Sequence, residues 1–285
     1  MKFMSFTAAG RASWGLARDD GIVDLGARFG AAAPTLRRFL DLRAAGFEAA
    51  LPRGAVADYR PDEVVHAPVI GDPAKIICVG LNFEEHRQET GRPKADHPAL
   101  FTRFADTLVG HGRPILCPPV STALDYEGEV AVIIGRPGYR VPADRAHELV
   151  AGFACFNDAT LRDWQRHTHQ FTPGKNFPAT GGFGPAMVTP DDVPDFAGLK
   201  IETRLNGAVM QQARLGEMVF PVGRVIAYVT GFTPLNPGDV IAMGTPGGVG
   251  FKREPQVFMK PGDRVEVVIE GIGHLLNPVS DEVAG

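Results

Sequence analysis

Three carboxylates in two short stretches are the side chains best suited to do chemistry. Asp125-Tyr126-Glu127-Gly128-Glu129 runs directly into Val130-Ala131-Val132-Ile133-Ile134-Gly135, an apolar run that argues for a buried strand. Residues two apart on a strand point to the same side, so Glu127 and Glu129 project together at its start. Carboxylates held that close repel unless one takes up a proton or a cation sits between them. Gly128 removes the intervening side chain and lets another segment approach. A second apolar strand, residues 150–156, ends in Asn157-Asp158. If the two strands are neighbours, Glu127, Glu129 and Asp158 offer the hard oxygen ligands that Mg²⁺, Mn²⁺ or Ca²⁺ prefer, leaving positions for substrate and water. The plainer alternatives are a solvated strand end for the Glu pair and a helix N-cap for Asp158, a job Asn157 could also do.

Gly80-Leu81-Asn82-Phe83-Glu84-Glu85-His86-Arg87-Gln88-Glu89 begins with an Asn able to cap a helix and places His86 and Glu89 three apart, on one helical face. A carboxylate beside an imidazole raises its basicity and fixes its tautomer, which suits a base that takes a proton from water near neutral pH. The competing reading is an exposed, charged helix with an incidental pair. Arg162 and Gln165 follow Asp158 by one and two helical turns. Lys175 lies in Pro173-Gly174-Lys175-Asn176-Phe177-Pro178, a composition that predicts a loop and not a helix. An Arg and a Lys near a metal can hold a substrate carboxylate and stabilise a developing enolate, although surface solvation is the usual fate of both types. Gly244-Thr245-Pro246-Gly247-Gly248-Val249-Gly250 can bring backbone amides and the Thr245 hydroxyl close to an anion, or can be a plain turn between strands. It lacks the Gly-Lys-Ser/Thr of a nucleotide phosphate loop, and no helix clearly follows it as a dinucleotide fingerprint requires. Gly181-Gly182-Phe183-Gly184-Pro185 carries turn chemistry and no charge, and reads as structural.

The elements that must position these groups are mostly short strands. Within residues 1–25, three apolar runs broken by Gly10 and by Asp19-Asp20-Gly21 predict a small antiparallel sheet. Leu36, Leu40, Ala44 and Phe47 predict one or two amphipathic helices over 34–51. A Pro- and Gly-bearing stretch over 52–73 reads as a linker, which divides the chain into a small N-terminal domain (1–70) and a larger domain (71–285). Beyond it, strands are expected at 75–79, 127–134, 150–156, 199–205, 240–243 and 264–269. Helices are expected at 83–90, 143–148, 160–168 and 222–230. Strands without regular βαβ alternation favour a β-rich α+β fold over a doubly wound or barrel architecture.

Composition narrows the function classes. With 44% hydrophobic residues the 285-residue chain can bury a sizeable core, and its charge content argues against disorder. A formal net charge of -4 and the lack of a dense Lys/Arg patch exclude an electrostatic footprint for nucleic acid. Cys78, Cys117 and Cys155 are widely spaced in apolar contexts, which fits a reducing compartment and no disulfide framework. Without a signal-like N-terminus or a membrane-length apolar window, a cytoplasmic protein is expected.

The order of these signals is more specific than any one of them. Gly-x-Asn-(aromatic)-x-x-His, then Tyr-Glu-x-Glu with an apolar run to Gly, then Asn-Asp-x-Thr-x-Arg-Asp-x-Gln, Gly-Lys and Gly-Thr-Pro-x-Gly-Val-Gly over residues 75–280 resembles the fumarylacetoacetate hydrolase family. The resemblance implies a mixed β-sandwich roll preceded by a small N-terminal α+β domain, and assembly as a homodimer. It implies Glu127, Glu129 and Asp158 as ligands of Mg²⁺ or Mn²⁺, His86 and Glu89 as a catalytic dyad on a closing segment, and Lys175 as a catalytic cation. Arg162, Gln165 and Thr245 match its substrate-binding positions. Phe83 stands where many members have Tyr. Phe101-Thr102-Arg103-Phe104 replaces Phe-x-Lys-Pro, so Arg103 is expected to take over a cationic role, with His111 reaching the substrate from the same segment. The implied reaction is hydrolytic cleavage of a C–C bond in a small anionic 1,3-dicarbonyl keto acid of the acylpyruvate, fumarylpyruvate or maleylpyruvate type. Decarboxylation of an oxaloacetate-like acid, isomerisation or hydration of an unsaturated 2-keto acid, and non-catalytic binding of a small acid through a decayed site are the alternatives.

Overall fold

The computed structural model describes residues 1–47, 51 and 54–282. In chain order its longer elements are β1 (Lys2–Ala8), β2 (Arg11–Arg18), β3 (Gly21–Asp24), α1 (Leu25–Phe29), α2 (Leu36–Ala44), β4 (Ile76–Gly80), α3 (Glu84–Glu89), β5 (Ala99–Arg103), β6 (Ile115–Cys117), β7 (Gly128–Ile134) and β8 (Val150–Asn157). They continue with α4 (Arg162–Gln165), α5 (Thr172–Lys175), β9 (Gly181–Val188), β10 (Lys200–Leu205), β11 (Ala208–Arg214), α6 (Val222–Phe232), β12 (Val240–Ala242), β13 (Arg264–Ile269) and β14 (Gly273–Asp281). The strands form a large sheet in the order β3-β2-β1-β9-β8-β7-β12-β4-β5 and a second sheet in the order β11-β10-β13-β14-β6. The architecture is α+β and strand-rich, as its composition and patterning suggest.

β7 shows why the fold forms. Val130, Val132 and Ile134 pack with Val267, Ile269, Leu275 and α6 residues such as Ile226, in the layer between the two sheets. Ala131 and Ile133 face the other way, onto Trp14, Leu25, Leu36 and Phe39 of the N-terminal segment. A strand buried on both faces loses the alternation of a half-exposed one, which is why this stretch reads as a continuous apolar run. Each large aliphatic side chain buried there contributes roughly 1.5–3 kcal/mol. β1 pairs antiparallel with β9, Phe3 opposite Met187. The N-terminal strands and helices are therefore hydrogen-bonded to, and packed on, the sheet that carries the carboxylates.

Several local expectations are corrected. Residues 181–185, read as a turn, begin β9, which lies between β1 and β8; its glycines let other chains approach closely, since a Cβ at Gly182 would crowd Asn277 and Leu275. Lys175, expected in a loop, ends the one-turn helix α5. Pro173 sits in the first turn of α5, where the missing N–H costs nothing. The helix expected over 160–168 shortens to α4, because Thr160 and Leu161 pair instead with Asp125 and Leu124. The helix expected at 143–148 is a 3₁₀ turn, Ala146–Leu149. The strand and helix positions at 75–79, 150–156, 199–205, 222–230 and 264–269 agree to within a residue or two. The part of the helix expectation that covers 48–50 lies outside the described residues.

Candidate active site

β7 and β8 run antiparallel with Gly128 opposite Asn157, which places Glu127 opposite Asp158 at the adjoining ends. The Asp158 N–H donates to the Glu127 carbonyl at 2.8 Å. Glu127, Glu129 and Asp158 are all buried, and their candidate ligand oxygens lie within 4.8 Å of one another. Gly128 has the role its position suggests: a Cβ there would overlap the Thr203 hydroxyl of β10, so the second sheet can close over the carboxylates only because residue 128 has no side chain.

Cations interleave with these acids. Lys175 is 1% exposed; its Nζ donates to Glu127 Oε2 (2.6 Å), Asp158 Oδ2 (2.6 Å) and the Asp158 carbonyl (2.7 Å). Gly174 permits this placement, since a Cβ there would crowd the Gln165 amide and the Leu161 carbonyl. Arg162 donates from Nε to Asp125 Oδ2 at 2.8 Å and from Nη1 to Gln165 Oε1 at 3.0 Å, and its Nη2 lies 2.7 Å from Glu127 Oε1. Burial would raise the Glu127 pKa, but the Lys175 and Arg162 charges outweigh it and hold the group down to about 2. Burial tends to discharge Lys175, and the Asp158 and Glu127 charges reverse that and raise its pKa.

Glu129 differs. Among the described residues no Lys or Arg pairs with it, and its one hydrogen bond is accepted from the Gly244 N–H at 2.7 Å. Burial, reinforced by the Asp158 and Glu127 charges, pushes its pKa well above the usual carboxylate range. A buried carboxylate that repels two others and lacks a cation is the group a bound cation would relieve. The all-oxygen donor set suits a hard divalent ion such as Mg²⁺ or Mn²⁺. The residues present fit a metal site.

His86 is buried on α3, and its Nδ1 lies 3.2 Å from Glu89 Oε2. Glu89 Oε1 accepts from the Gly248 N–H at 3.1 Å. With the Nδ1 proton directed at Glu89, Nε2 is left as the proton acceptor. Asn82, expected as the cap of this helix, instead bridges two segments, accepting from the Phe220 N–H and donating to the Met243 carbonyl. Neither Asn157 nor Asp158 caps α4: Asn157 accepts from the Glu127 N–H.

The glycine loop after β12 uses its amides on the protein's own acids. Gly244, Gly248 and Gly250 donate to Glu129, Glu89 and Asp125, respectively. Thr245 donates to the Gly128 carbonyl and accepts from Gln211 Nε2, so its hydroxyl is already engaged within the fold.

These groups surround a cavity of about 670 Å³ lined by His86, Glu127, Glu129, Arg162, Gln165, Lys175 and Thr245, among others. Arg103 and His111 do not line it. Arg103 is fully engaged behind Asp158, donating to Asp158 Oδ1 (2.7 Å), the Ala159 carbonyl, Thr107 and Thr180. Its geometry is that of a group that positions a carboxylate. His111 packs against His66 at 5.0 Å between ring centroids and accepts from the Leu276 N–H. Asp125 and Gln211 are supporting residues that sequence reasoning passed over. The clue for Asp125 was its place at the head of the acidic cluster; Gln211, on a half-exposed edge strand, gave none.

Comparison with known proteins accords with this geometry. Residues 75–280 match the family model described as fumarylacetoacetate (FAA) hydrolase, C-terminal. The mitochondrial oxaloacetate tautomerase FAHD2A of Bos taurus is 39% identical over 265 residues, covering 91% of this chain and 84% of that protein. The solved structure of a fumarylacetoacetate hydrolase from Exiguobacterium antarcticum superposes with a TM-score of 0.87 at 35% identity, covering 99% of this chain and 100% of that one. The maleylpyruvate hydrolase from Sphingobium sp. SYK-6 superposes with a TM-score of 0.81 at 27% identity and the same coverage.

Proposed function

Because this chain belongs to the fumarylacetoacetate hydrolase family, we propose that it is a divalent-metal-dependent enzyme that interconverts the keto and enol forms of a small 2-keto acid, with oxaloacetate as the substrate to test first. The observation that carries the reading is one cavity lined by both halves of enolate chemistry: the buried carboxylate–Lys175 cluster and an imidazole tied to Glu89. The oxaloacetate tautomerase name of the bovine relative supports it.

In this mechanism Arg162 and Gln165 receive the substrate's carboxylate, with Arg162 held in place by Asp125 and Glu127. Glu127, Glu129 and Asp158 would hold the divalent ion, which when bound supplies Lewis-acid polarisation of the 2-keto oxygen. His86 accepts the C3 proton. The C3–H electron pair moves into a C2=C3 double bond, and the keto oxygen gains negative charge. The Lys175 ammonium stabilises that charge more strongly than it stabilises the neutral ketone, which lowers the barrier. Delivery of the proton to the oxygen completes the enol, and the reverse sequence restores the ketone.

Hydrolytic C–C cleavage of an acylpyruvate is the second reading. It is favoured by the double anchoring of Glu89 to His86 and Gly248, which suits a base that activates water, and by the likeness to the maleylpyruvate hydrolase. The deciding experiment follows the ultraviolet absorbance of enol oxaloacetate, and in parallel pyruvate release from acetylpyruvate, maleylpyruvate and oxaloacetate, with Mg²⁺, Mn²⁺ or chelator. Metal-dependent tautomerisation that falls about 10²–10⁴-fold in His86→Ala is expected. Pyruvate release from the acylpyruvates without faster tautomerisation would replace the first reading by the second, and turnover of none of them would sink both.

A further inference from the structure

The second sheet reaches the carboxylates through one buried amide, Gln211 of β11. In the pairing of β10 with β11, Arg204 lies opposite Val209 and Thr203 opposite Gln211, so Met210 is an extra, bulged residue. Residues two apart on a regular strand share a face, and a bulge re-aims the side chain next to it. Val209 is accordingly exposed, whereas Gln211 is 1% exposed. Its Oε1 accepts from the Gly128 N–H at 3.0 Å; its Nε2 donates to Thr245 Oγ1 (2.7 Å) and to the Pro246 carbonyl (2.8 Å). A backbone N–H can only donate and a carbonyl can only accept, so these two partners settle which way the amide points. Thr245 therefore accepts from Gln211 and gives its one proton to the Gly128 carbonyl at 3.0 Å. The bonds close a ring that leaves from the N–H of Gly128 and returns to its carbonyl.

Resting on the metal-dependent reading above, we propose that Gln211 is a positioning residue of the metal centre: with Thr245 it clamps both peptides that join Glu127 to Glu129 and presets the spacing of these two ligands. The clamp stands where the sheet gives no support on that side. Bonding between β7 and the chain after β12 reaches Val130, whose carbonyl accepts from the Met243 N–H at 3.0 Å, and Gly128 lies two residues beyond. Repulsion between the buried acids acts on this unladdered backbone, and the ring resists it. Through the Pro246 carbonyl the same side chain also ties down the glycine loop, whose amides hold Glu129 and Glu89. Gln211 does not line the cavity, so it acts through the backbone and not on the substrate. Groups that orient metal ligands in this way are worth about 10–100-fold in metal affinity.

Calorimetric titration of the metal-free protein with Mn²⁺ reads the clamp without any substrate. Gln211→Met keeps the side chain's length and loses its three bonds; it should weaken Mn²⁺ binding about ten-fold. Thr245→Val opens the ring at a second point and should do the same, while Thr245→Ser keeps the hydroxyl and should bind Mn²⁺ as the wild type does. If Gln211→Met does not fold, the Thr245 pair carries the test. Because both substitutions break one ring, the double variant should be at most about two-fold weaker than either single one; independent effects would multiply to about a hundred-fold. With Mn²⁺ saturating, KM for oxaloacetate in Gln211→Met should stay within about two-fold of wild type. Unchanged Mn²⁺ affinity in Gln211→Met and Thr245→Val, whatever their melting temperatures, would overturn the clamp and leave Gln211 a structural residue; multiplicative effects would overturn it too. A wild type that binds no Mn²⁺ would refute the metal-dependent reading and the clamp with it. Failure to turn over oxaloacetate would touch the reaction alone, and the Mn²⁺ affinities would still decide the clamp.

Discussion

Asp125→Asn isolates how the site is held, because it changes a charge at constant shape in a residue that touches neither ligand position nor substrate. The Asp125 side chain is 0% exposed. Its Oδ2 accepts from Arg162 Nε (2.8 Å) and Phe251 N (3.0 Å), and its Oδ1 from Gly250 N (2.8 Å) and Tyr126 N (2.9 Å). An amide can satisfy one of these donor pairs; whichever way it turns, its NH₂ meets two N–H groups. A buried donor left without an acceptor costs about 1–3 kcal/mol, and breaking a buried ion pair costs about 3–5 kcal/mol. Arg162 keeps Glu127 at 2.7 Å, which argues for the lower end, about 3 kcal/mol. At about 2 °C per kcal/mol for a chain of this size, the melting temperature should fall by about 6 °C. Because Arg162 would grip the substrate's carboxylate and not the reacting atoms, the loss of kcat/KM, about ten-fold, should appear mainly in KM. The assay is a double-mutant cycle with Arg162→Met, read by urea unfolding and by steady-state kinetics. A coupling of about 2 kcal/mol between the two sites is expected. Additive effects, or a melting temperature within 1 °C of wild type, would refute the claim that Asp125 positions Arg162.

Three further outcomes follow from the same geometry. Mg²⁺ or Mn²⁺ should raise the melting temperature, by the equivalent of about 2.7 kcal/mol at a hundred times Kd, and Glu129→Gln should abolish the response; a full response in that variant would remove Glu129 from the ligand set. Desolvation, with the His66 and His274 charges, lowers the His111 pKa to about 4. The unfolded chain, with an ordinary value of about 6.5, therefore takes up the proton first as pH falls. Its contribution is complete above about pH 6.5 and is lost as pH drops towards 4, by about 1–2 kcal/mol once solvent screening of a partly exposed ring is allowed for; unfolding measured across that window should show this slope in the wild type and lack it in His111→Gln. Gly128→Ala should destabilise by about 1–3 kcal/mol through its clash with Thr203, with most of that recovered in Gly128→Ala/Thr203→Ala; the single variant melting like wild type would contradict the close approach of the second sheet.

What the sequence revealed and what it hid divide along the range of the interactions. The β7 and β8 strands were legible because they are buried on both faces and so spell continuous apolar runs. The pairing of Glu127 with Asp158 then needed only that the two strands be neighbours. β9 was not legible: Gly181, Gly182 and Gly184 have turn chemistry in isolation, and they form a strand because they pair with β8, Gly182 opposite Asn157 and Gly184 opposite Cys155, with Arg103, Asn277 and Leu275 close to where a Cβ would stand at residues 181 and 182. Lys175 was assigned to a loop for the same reason. Its helical turn is secured by contact of α5 with α4 and by three hydrogen bonds to acids 17 and 48 residues away, which no local propensity encodes. Arg103 was recognised as a cation out of its usual context, but its partner could be seen only in three dimensions; Asp158 absorbs the charge that a substrate was expected to receive.

The charge balance of the site links these observations. Asp125, Glu127, Glu129 and Asp158 are buried against the buried cations Arg103, Arg162 and Lys175, so four carboxylates face three positive charges. Glu129, the acid without a cation, is where the excess negative charge lies, and it is there that burial opposes ionisation. A divalent ion would turn the excess of one negative charge into one positive charge, which a single carboxylate neutralises.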